Sequence, residues 1–318
     1  MSSEEDSDFY GDDDVLMDLK AKVRKFDVDE WWQDHKTIET PLKLQARKQA
    51  DEGKTRLHNP YAGEPYAWQL TESVDDFLKR VPPATTEDPI DSLWIWICNP
   101  YIERKAKRKA NNQRIRGGED EAPEEEGADP AGLVEAGEER LHLARQFIDE
   151  CKASGQTKIF ITRECRKAGL DASRDILDVA KELRVTCGKW MLFCDVIQVN
   201  DVWGIIAHAT ANNELGIAAK VAPKSTKDTR TERLICVYTA DFTDTKDVKR
   251  VAERLKLLGL VRAKPLYYKP GQSVRELVSA VFKETLTWSD CYTYLGIASG
   301  NPWEIKASIY DTKSMLGR

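Results

Sequence analysis

The alternation of apolar and polar residues between positions 188 and 268 predicts one continuous core of strands and helices. Residues 188–193 alternate as in a strand that is buried on at least one side. Apolar residues then recur at helical spacing through 199–212 and again through 244–259. Further strands are predicted at 215–221, 233–239 and 264–268. The order strand, helix, strand, strand, helix, strand is the best-defined part of the sequence.

The N-terminal half contains weaker signals of the same kind. Residues 71–80 have the features of a short capped helix, and residues 93–98 form a strongly apolar strand. Two longer helices are predicted at 134–153 and 162–184. Residues 15–54 mix apolar and charged positions, so we expect an N-terminal extension with one or two short helices outside the core.

Charge is distributed in blocks along the chain. The 48 Lys and Arg residues against 54 Asp and Glu give a net charge of −6, which argues against general affinity for nucleic acid. Residues 1–14 carry seven carboxylates and no basic residue, and we expect them to be disordered. Seven basic residues within 103–116 precede seven acidic residues within 119–129. We interpret 103–129 as a charged flexible insertion rather than a functional basic tail or nuclear-import signal.

The composition argues against membrane proteins, metal-binding proteins and enzymes. The sequence has no apolar run long enough to cross a membrane, so we expect a cytoplasmic protein, with the nucleus as a second compartment. Its seven cysteines and four histidines lack the spacing of a metal site, so we expect neither metal nor cofactor. Glycine-rich phosphate loops and nucleophile motifs are also missing from the sequence, and we therefore expect no enzymatic activity.

Several motifs of the core occur in a distinctive order. They are Gly-Lys-Trp-Met-Leu-Phe at 188–193, a helix with Trp203, the strands at 216–221 and 234–239, Leu-Gly-Leu at 258–260, and Tyr-Thr-Tyr-Leu-Gly-Ile-Ala-Ser-Gly-Asn-Pro-Trp at 292–303. This order resembles the second half of the cap-binding translation initiation factors of the 4E type. The closer resemblance is to the basophilic leukaemia expressed protein family, a divergent branch of the same fold.

The resemblance implies an α+β fold, in which a curved antiparallel sheet carries helices on its convex face. It covers one domain at 55–310, interrupted at 103–129 and 271–289 and followed by a short tail at 311–318. The resemblance implies the concave face as the place for a nucleotide, and in the cap-binding factors two loop tryptophans sandwich the methylated base. Residues 184–188 contain no tryptophan, and the loop after residue 98 offers Tyr101 instead. We therefore expect the fold without a cap-type sandwich.

Two groups of residues are candidates for a binding surface. A basic strip near residues 220–233 is suited to phosphate contacts, although it could equally be a solubilising hairpin loop. Its members are Lys220, Lys224, Lys227, Arg230 and Arg233. The candidates for stacking on bases, near Asn-Pro turns, are Tyr61, Tyr66, Trp68 and Tyr101. The remaining tryptophans, which we assign to the structural core, are Trp94, Trp96, Trp190 and Trp203.

Two functions fit this sequence. The first is an RNA- or nucleotide-binding module that uses the basic strip and the loop aromatics. The second is a protein-interaction scaffold that has kept the fold and lost nucleotide binding. The first requires Lys220, Arg230 and Arg233 to converge with an exposed aromatic ring on the concave face of the sheet.

The 271–289 segment interrupts the resembling region between Pro270 and Asp290. Its apolar residues have helical spacing, which is consistent with a short helix. Its length of 19 codons also fits a retained intron that is translated in frame, and this is the interpretation we favour.

Overall fold

The computed structural model describes residues 56–88, 94–104, 125–225, 231–262, 264–270 and 299–317, together with residues 17, 20, 21, 122, 292, 295 and 297. Our predictions for 1–14 and for the 271–289 segment lie outside these residues, as does most of the 15–54 extension. The chain divides into two compact units, Met1–Lys54 and Thr55–Arg318. The architecture below is that of the second unit.

The second unit is built on a curved antiparallel β-sheet. The strands of the described residues are β1 (Glu87–Asp88), β2 (Ile95–Cys98), β3 (Gly188–Asp195), β4 (Ala218–Val221), β5 (Lys224–Ser225), β6 (Glu232–Thr239), β7 (Tyr267–Pro270) and β8 (Tyr310–Asp311). Six of them form one sheet in the order β2-β4-β6-β3-β7-β8. The remaining two, β1 and β5, pair with each other in parallel. The predicted α+β class is therefore confirmed.

Several helices begin at polar capping residues, although α2 and α3 start four residues before the predicted positions 134 and 162. They are α1 (Val74–Arg80), α2 (Pro130–Ala153), α3 (Lys158–Glu182), α4 (Val199–Ala211), α5 (Thr245–Leu257) and α6 (Thr312–Leu316). The side chains of Ser73, Thr157 and Asp244 accept backbone N–H bonds in the first turns of α1, α3 and α5. The short helix α6 lies within the segment that the sequence presented only as a tail.

The convex face of the sheet carries the main hydrophobic core. Alternate residues of β3 and β6 point toward the helices, among them Trp190, Ile235 and Val237. The indole N–H of Trp190 donates to the carbonyl oxygen of Val248 on α5 at 3.1 Å, and the side chain is completely buried. Trp203 on α4 is completely buried in the same cluster. Both tryptophans thus fix helices to the sheet.

The acidic end of the charged 103–129 segment is anchored to the folded unit. Ala122 is completely buried against the concave side of the sheet. Asp129 accepts the backbone N–H of Gly132 and thereby caps α2, and its own N–H donates to the carbonyl oxygen of Leu183 at 2.9 Å. The segment that we expected to be flexible throughout therefore ends in packed structure.

Candidate nucleic-acid interface

The concave face of the sheet combines lysines with aromatic and apolar side chains. Strand alternation places on this face the residues Trp96 of β2, Lys220 of β4, Leu234, Cys236 and Tyr238 of β6, Lys189, Met191 and Phe193 of β3, and Tyr267 and Lys269 of β7. Trp94, Tyr61 and Ala67 pack against the same cluster. We call this set the concave face below.

Two lysines occupy neighbouring strands at one end of the concave face. Lys189 lies directly opposite Lys269 in the β3–β7 pairing and directly opposite Tyr238 in the β3–β6 pairing. Only 2% of Lys189 and 7% of Lys269 is exposed. Like charges that face each other across a pair of strands repel, and the repulsion is stronger where water is excluded. Lys189 Nζ also lies 5.6 Å from the ring centroid of Tyr238, so this end of the face holds two buried lysines, one of them over an aromatic ring.

Lys220 is enclosed by aromatic rings instead of extending into solvent. Its Nζ lies 3.9 Å from the ring centroid of Trp94 and 5.2 Å from that of Trp96, within the range of cation–π attraction. Trp96 in turn stacks on Tyr61 at 5.0 Å and on Tyr238 at 5.7 Å. These rings already contact one another, so the stack leaves no slot for a base between them.

Two further aromatic rings on the concave face are half-exposed. Phe193 is 48% exposed and Tyr267 is 46% exposed. Tyr267 is the register partner of Met191, and Phe193 follows two residues later on the same face, so the two rings are diagonal neighbours. Lys189 and Lys269 occupy the next row of the sheet. An exposed aromatic pair thus lies beside a lysine pair.

The sequence analysis missed this aromatic pair, although the signal was present. Lys189, Met191 and Phe193 alternate along one strand, and Tyr267 and Lys269 alternate along another. The pairing of these two strands, which are separated by more than 70 residues of sequence, is what brings the two patterns together. Alternation alone identifies each pattern but not which strands are neighbours.

The predicted basic strip does not form one surface among the described residues. Lys224 lies on β5, where its Nζ is 3.2 Å from Oε1 of Glu87. Lys220 shares its side of the sheet with Cys236, whereas Arg233 lies three residues before Cys236 on β6 and points to the opposite side. Lys220 and Arg233 therefore do not converge, so the condition given above for RNA binding through the basic strip is not met, and an RNA surface would have to use other residues. The other two members, Lys227 and Arg230, lie outside the described residues.

The loop aromatics that we predicted as stacking residues are mostly part of the packing. The indole N–H of Trp68 donates to the carbonyl oxygen of Glu72 at 3.1 Å, and Trp68 is buried in the main core. Tyr66 is half-buried, and its carbonyl oxygen accepts the backbone N–H of Trp96. Tyr101 is half-buried in a turn where its N–H donates to the side chain of Asn99 at 3.1 Å. Tyr61 belongs to the ring stack on the concave face.

The cysteines near the sheet are poor nucleophiles. Burial raises the pKa of Cys98 to about 12 and that of Cys194 to about 11, so both thiols are protonated at neutral pH. Within the described residues, no cluster of three or more His, Cys, Asp or Glu side chains could hold a metal ion. The helices in that part of the chain include none long and apolar enough to span a membrane.

The comparison with protein families identifies this chain. The family described as basophilic leukemia-expressed protein Bles03 matches residues 19–273, which is most of the sequence. The chain belongs to the Bles03 family. The resemblance in the core motifs is therefore confirmed. The match ends three residues into the 271–289 segment, after β7 and before the Tyr-Thr-Tyr motif.

Two solved structures show weaker similarity to this chain. Two structures of Ascaris suum eIF4E-3, one with an m2,2,7G cap and one with an m7G cap, match at 15% and 17% sequence identity. The matches cover 27% and 31% of this chain and 51% and 56% of those chains, with TM-scores of 0.23 and 0.22. This chain thus spans about half the length of the cap-binding structures that it matches.

Proposed function

We propose that this Bles03 family protein is a non-enzymatic RNA-binding module and that its concave face is the binding surface. The observation that carries the proposal is the half-exposed pair Phe193 and Tyr267 beside Lys189 and Lys269. In this arrangement bases of a single strand stack on the two rings, while the two buried lysines add positive charge behind them without direct contact with the phosphates.

The energetics of such a surface favour single strands. Stacking of a base on an aromatic side chain contributes about 1–3 kcal/mol and tolerates any base, because every base has a π-face. Bases are available for stacking in unpaired RNA, whereas paired bases are stacked on one another. A pair of rings on adjacent strands therefore suits two neighbouring nucleotides better than a duplex.

The two ends of the concave face carry charges of opposite sign. Lys189 lies at the first end of β3, and Asp195 lies at the other end, directly opposite Glu232 of β6. Two carboxylates at one end repel phosphates, and two ammonium groups at the other attract them. We therefore expect the RNA backbone to follow the lysine end of the sheet, near β7, and to avoid the end at Asp195.

Recognition of the cap is not part of this proposal. The ring stack of Tyr61, Trp96 and Tyr238 is closed, with Lys220 as the cation held by its rings. A methylated guanine carries a positive charge, which the Lys220 ammonium beside these rings disfavours. We therefore expect capped and uncapped oligonucleotides to bind equally.

The proposal is tested by fluorescence anisotropy titration of labelled capped and uncapped single-stranded RNA. The double variant Phe193→Ala and Tyr267→Ala should weaken binding of both by about tenfold or more, because neither ring remains for a base to stack on. Phe147→Ala is the matched control, since Phe147 on α2 is also 46% exposed but lies outside the sheet. Equal affinity of the double variant and the wild type would overturn the proposal.

A protein-interaction scaffold is the second candidate function. Exposed apolar residues on the α2–α3 hairpin favour it, and they are Leu143, Phe147, Ile159 and Leu170. Leu143 and Phe147 are one helical turn apart on α2, and neighbouring exposed apolar residues are typical of protein interfaces. Failure of the wild-type protein to bind any single-stranded RNA would leave this candidate as the better account.

A further inference from the structure

A small depression lies just beyond the lysine end of the concave face. It encloses only about 10 Å³ and is lined by Arg104, Glu125, Arg184, Val185, Thr186, Cys187 and Ala240. Cys187 directly precedes β3, and Ala240 directly follows β6, where Gly188 and Thr239 are paired. Lys189 and Tyr238 follow as the next pair of the same two strands, so the depression continues the concave face.

Two arginines line this depression. Among the residues that the structure describes, neither guanidinium forms an ion pair with a carboxylate, and the hydrogen bond of Arg184 is a long one to the carbonyl oxygen of Glu126 at 3.5 Å. Glu125 supplies the single carboxylate of the lining, from an exposed position. Guanidinium groups match the geometry of phosphate oxygens and bind them in pairs of hydrogen bonds.

The backbone of Arg184 is in a conformation that normally selects glycine. Its φ is +57°, in the left-handed region. The residue ends α3, where the N–H of Val185 donates to the carbonyl oxygen of Ala180 at 2.8 Å. Glycine is the usual residue at such a helix end because a side chain there costs conformational energy. Strain of this kind is concentrated at functional sites, where the side chain compensates for it.

We infer that this depression binds a phosphate group of the RNA strand, held by the guanidinium groups of Arg104 and Arg184. The inference rests on the proposed function and deepens it. The enclosed space of about 10 Å³ has room for about one water-sized group, so one phosphate oxygen enters the depression and the rest of the phosphate group lies at its mouth. The bases next to this phosphate group then stack on Phe193 and Tyr267.

The test uses Arg104→Gln and Arg184→Gly, separately and together, in titrations of uncapped single-stranded RNA across a salt series. Each variant should weaken binding, and the slope of log K against log salt should fall by about 0.7 for each phosphate group that the variant no longer neutralises. Arg184→Gly should also raise the melting temperature by about 2–4 °C, because glycine relieves the left-handed backbone. Arg166→Gln on α3 removes the same charge at an exposed position outside the depression and should change neither quantity.

The outcomes separate this inference from the proposed function. If the arginine variants keep the affinity and slope of the wild type while the Phe193 and Tyr267 variant no longer binds, the phosphate site is wrong and the RNA surface stands. If neither the wild-type protein nor any variant binds RNA, calorimetric titration of these proteins with pyrophosphate tests the anion site by itself. Binding of pyrophosphate that Arg184→Gly abolishes supports the anion site alone, and absence of binding overturns it.

Discussion

At the scale of single residues, Trp190 shows why one face of β3 is structural and the other is available for binding. Trp190 is completely buried, its N–H is satisfied by Val248, and its ring meets Tyr268 edge-on at 5.1 Å. Its neighbour Lys189 points to the opposite side of the sheet. One strand thus supplies a core anchor and a buried lysine of the concave side in successive positions.

Replacing Trp190 tests this structural role. Trp190→Ala should lower the free energy of unfolding by about 3–5 kcal/mol, because it leaves a large cavity between the sheet and α5. The measurement is urea unfolding followed by circular dichroism, with Phe147→Ala as the exposed control. A cost below about 1 kcal/mol would contradict the assignment of Trp190 to the core.

At the scale of elements, the strand pairings decide what the sequence could and could not predict. Periodicity and capping residues predicted α1, α4 and α5 and the strands β2, β3 and β6, because these signals are local. The predicted basic strip followed residues near in sequence, yet alternation directs Lys220 and Arg233 to opposite sides of the sheet. The aromatic pair depends on the contact of β3 with β7, which no local pattern encodes.

The observed start of β4 differs from the predicted start, again because of the pairing with another strand. We predicted the strand from residue 215, whereas β4 begins at Ala218. A side chain on Gly216 would place its Cβ 1.7 Å from the carbonyl oxygen of Tyr238, so the two backbones approach more closely there than in a regular strand pair. Such an approach is specified by the partner strand and is invisible in the sequence of β4 itself.

Two glycine substitutions test this packing, and they should change the free energy of unfolding in opposite directions. Gly216→Ala should strongly destabilise the protein or prevent folding, because the backbone of β6 cannot move without disrupting the sheet. Gly204→Ala on α4 meets only a methyl group of Leu78 at 3.7 Å and should stabilise the helix by about 0.5–1 kcal/mol. Urea unfolding of both variants measures the difference. A Gly216→Ala variant as stable as the wild type would contradict the close approach.

At the scale of the whole molecule, a sheet with helices on its convex face leaves the concave face for function. The net charge of −6 does not describe this face, which holds the buried side chains of Lys189, Lys220 and Lys269 together with the exposed rings of Phe193 and Tyr267. Local potential governs where an anionic strand binds, and total charge governs solubility and general association. The chain belongs to the Bles03 family, as its core motifs indicated. The proposed binding surface follows from the geometry of this chain.

The most direct test of the account maps where RNA touches the protein. Single-stranded RNA that contains 4-thiouridine is cross-linked to the wild-type protein by ultraviolet light, and the cross-linked peptides are identified by mass spectrometry. We predict cross-links in the peptides of β3 and β7, at or beside Phe193 and Tyr267, because a stacked base lies in contact with these rings. Cross-links confined to the α2–α3 hairpin, or the absence of any cross-link on β3 and β7, would contradict the central claim that the concave face binds RNA.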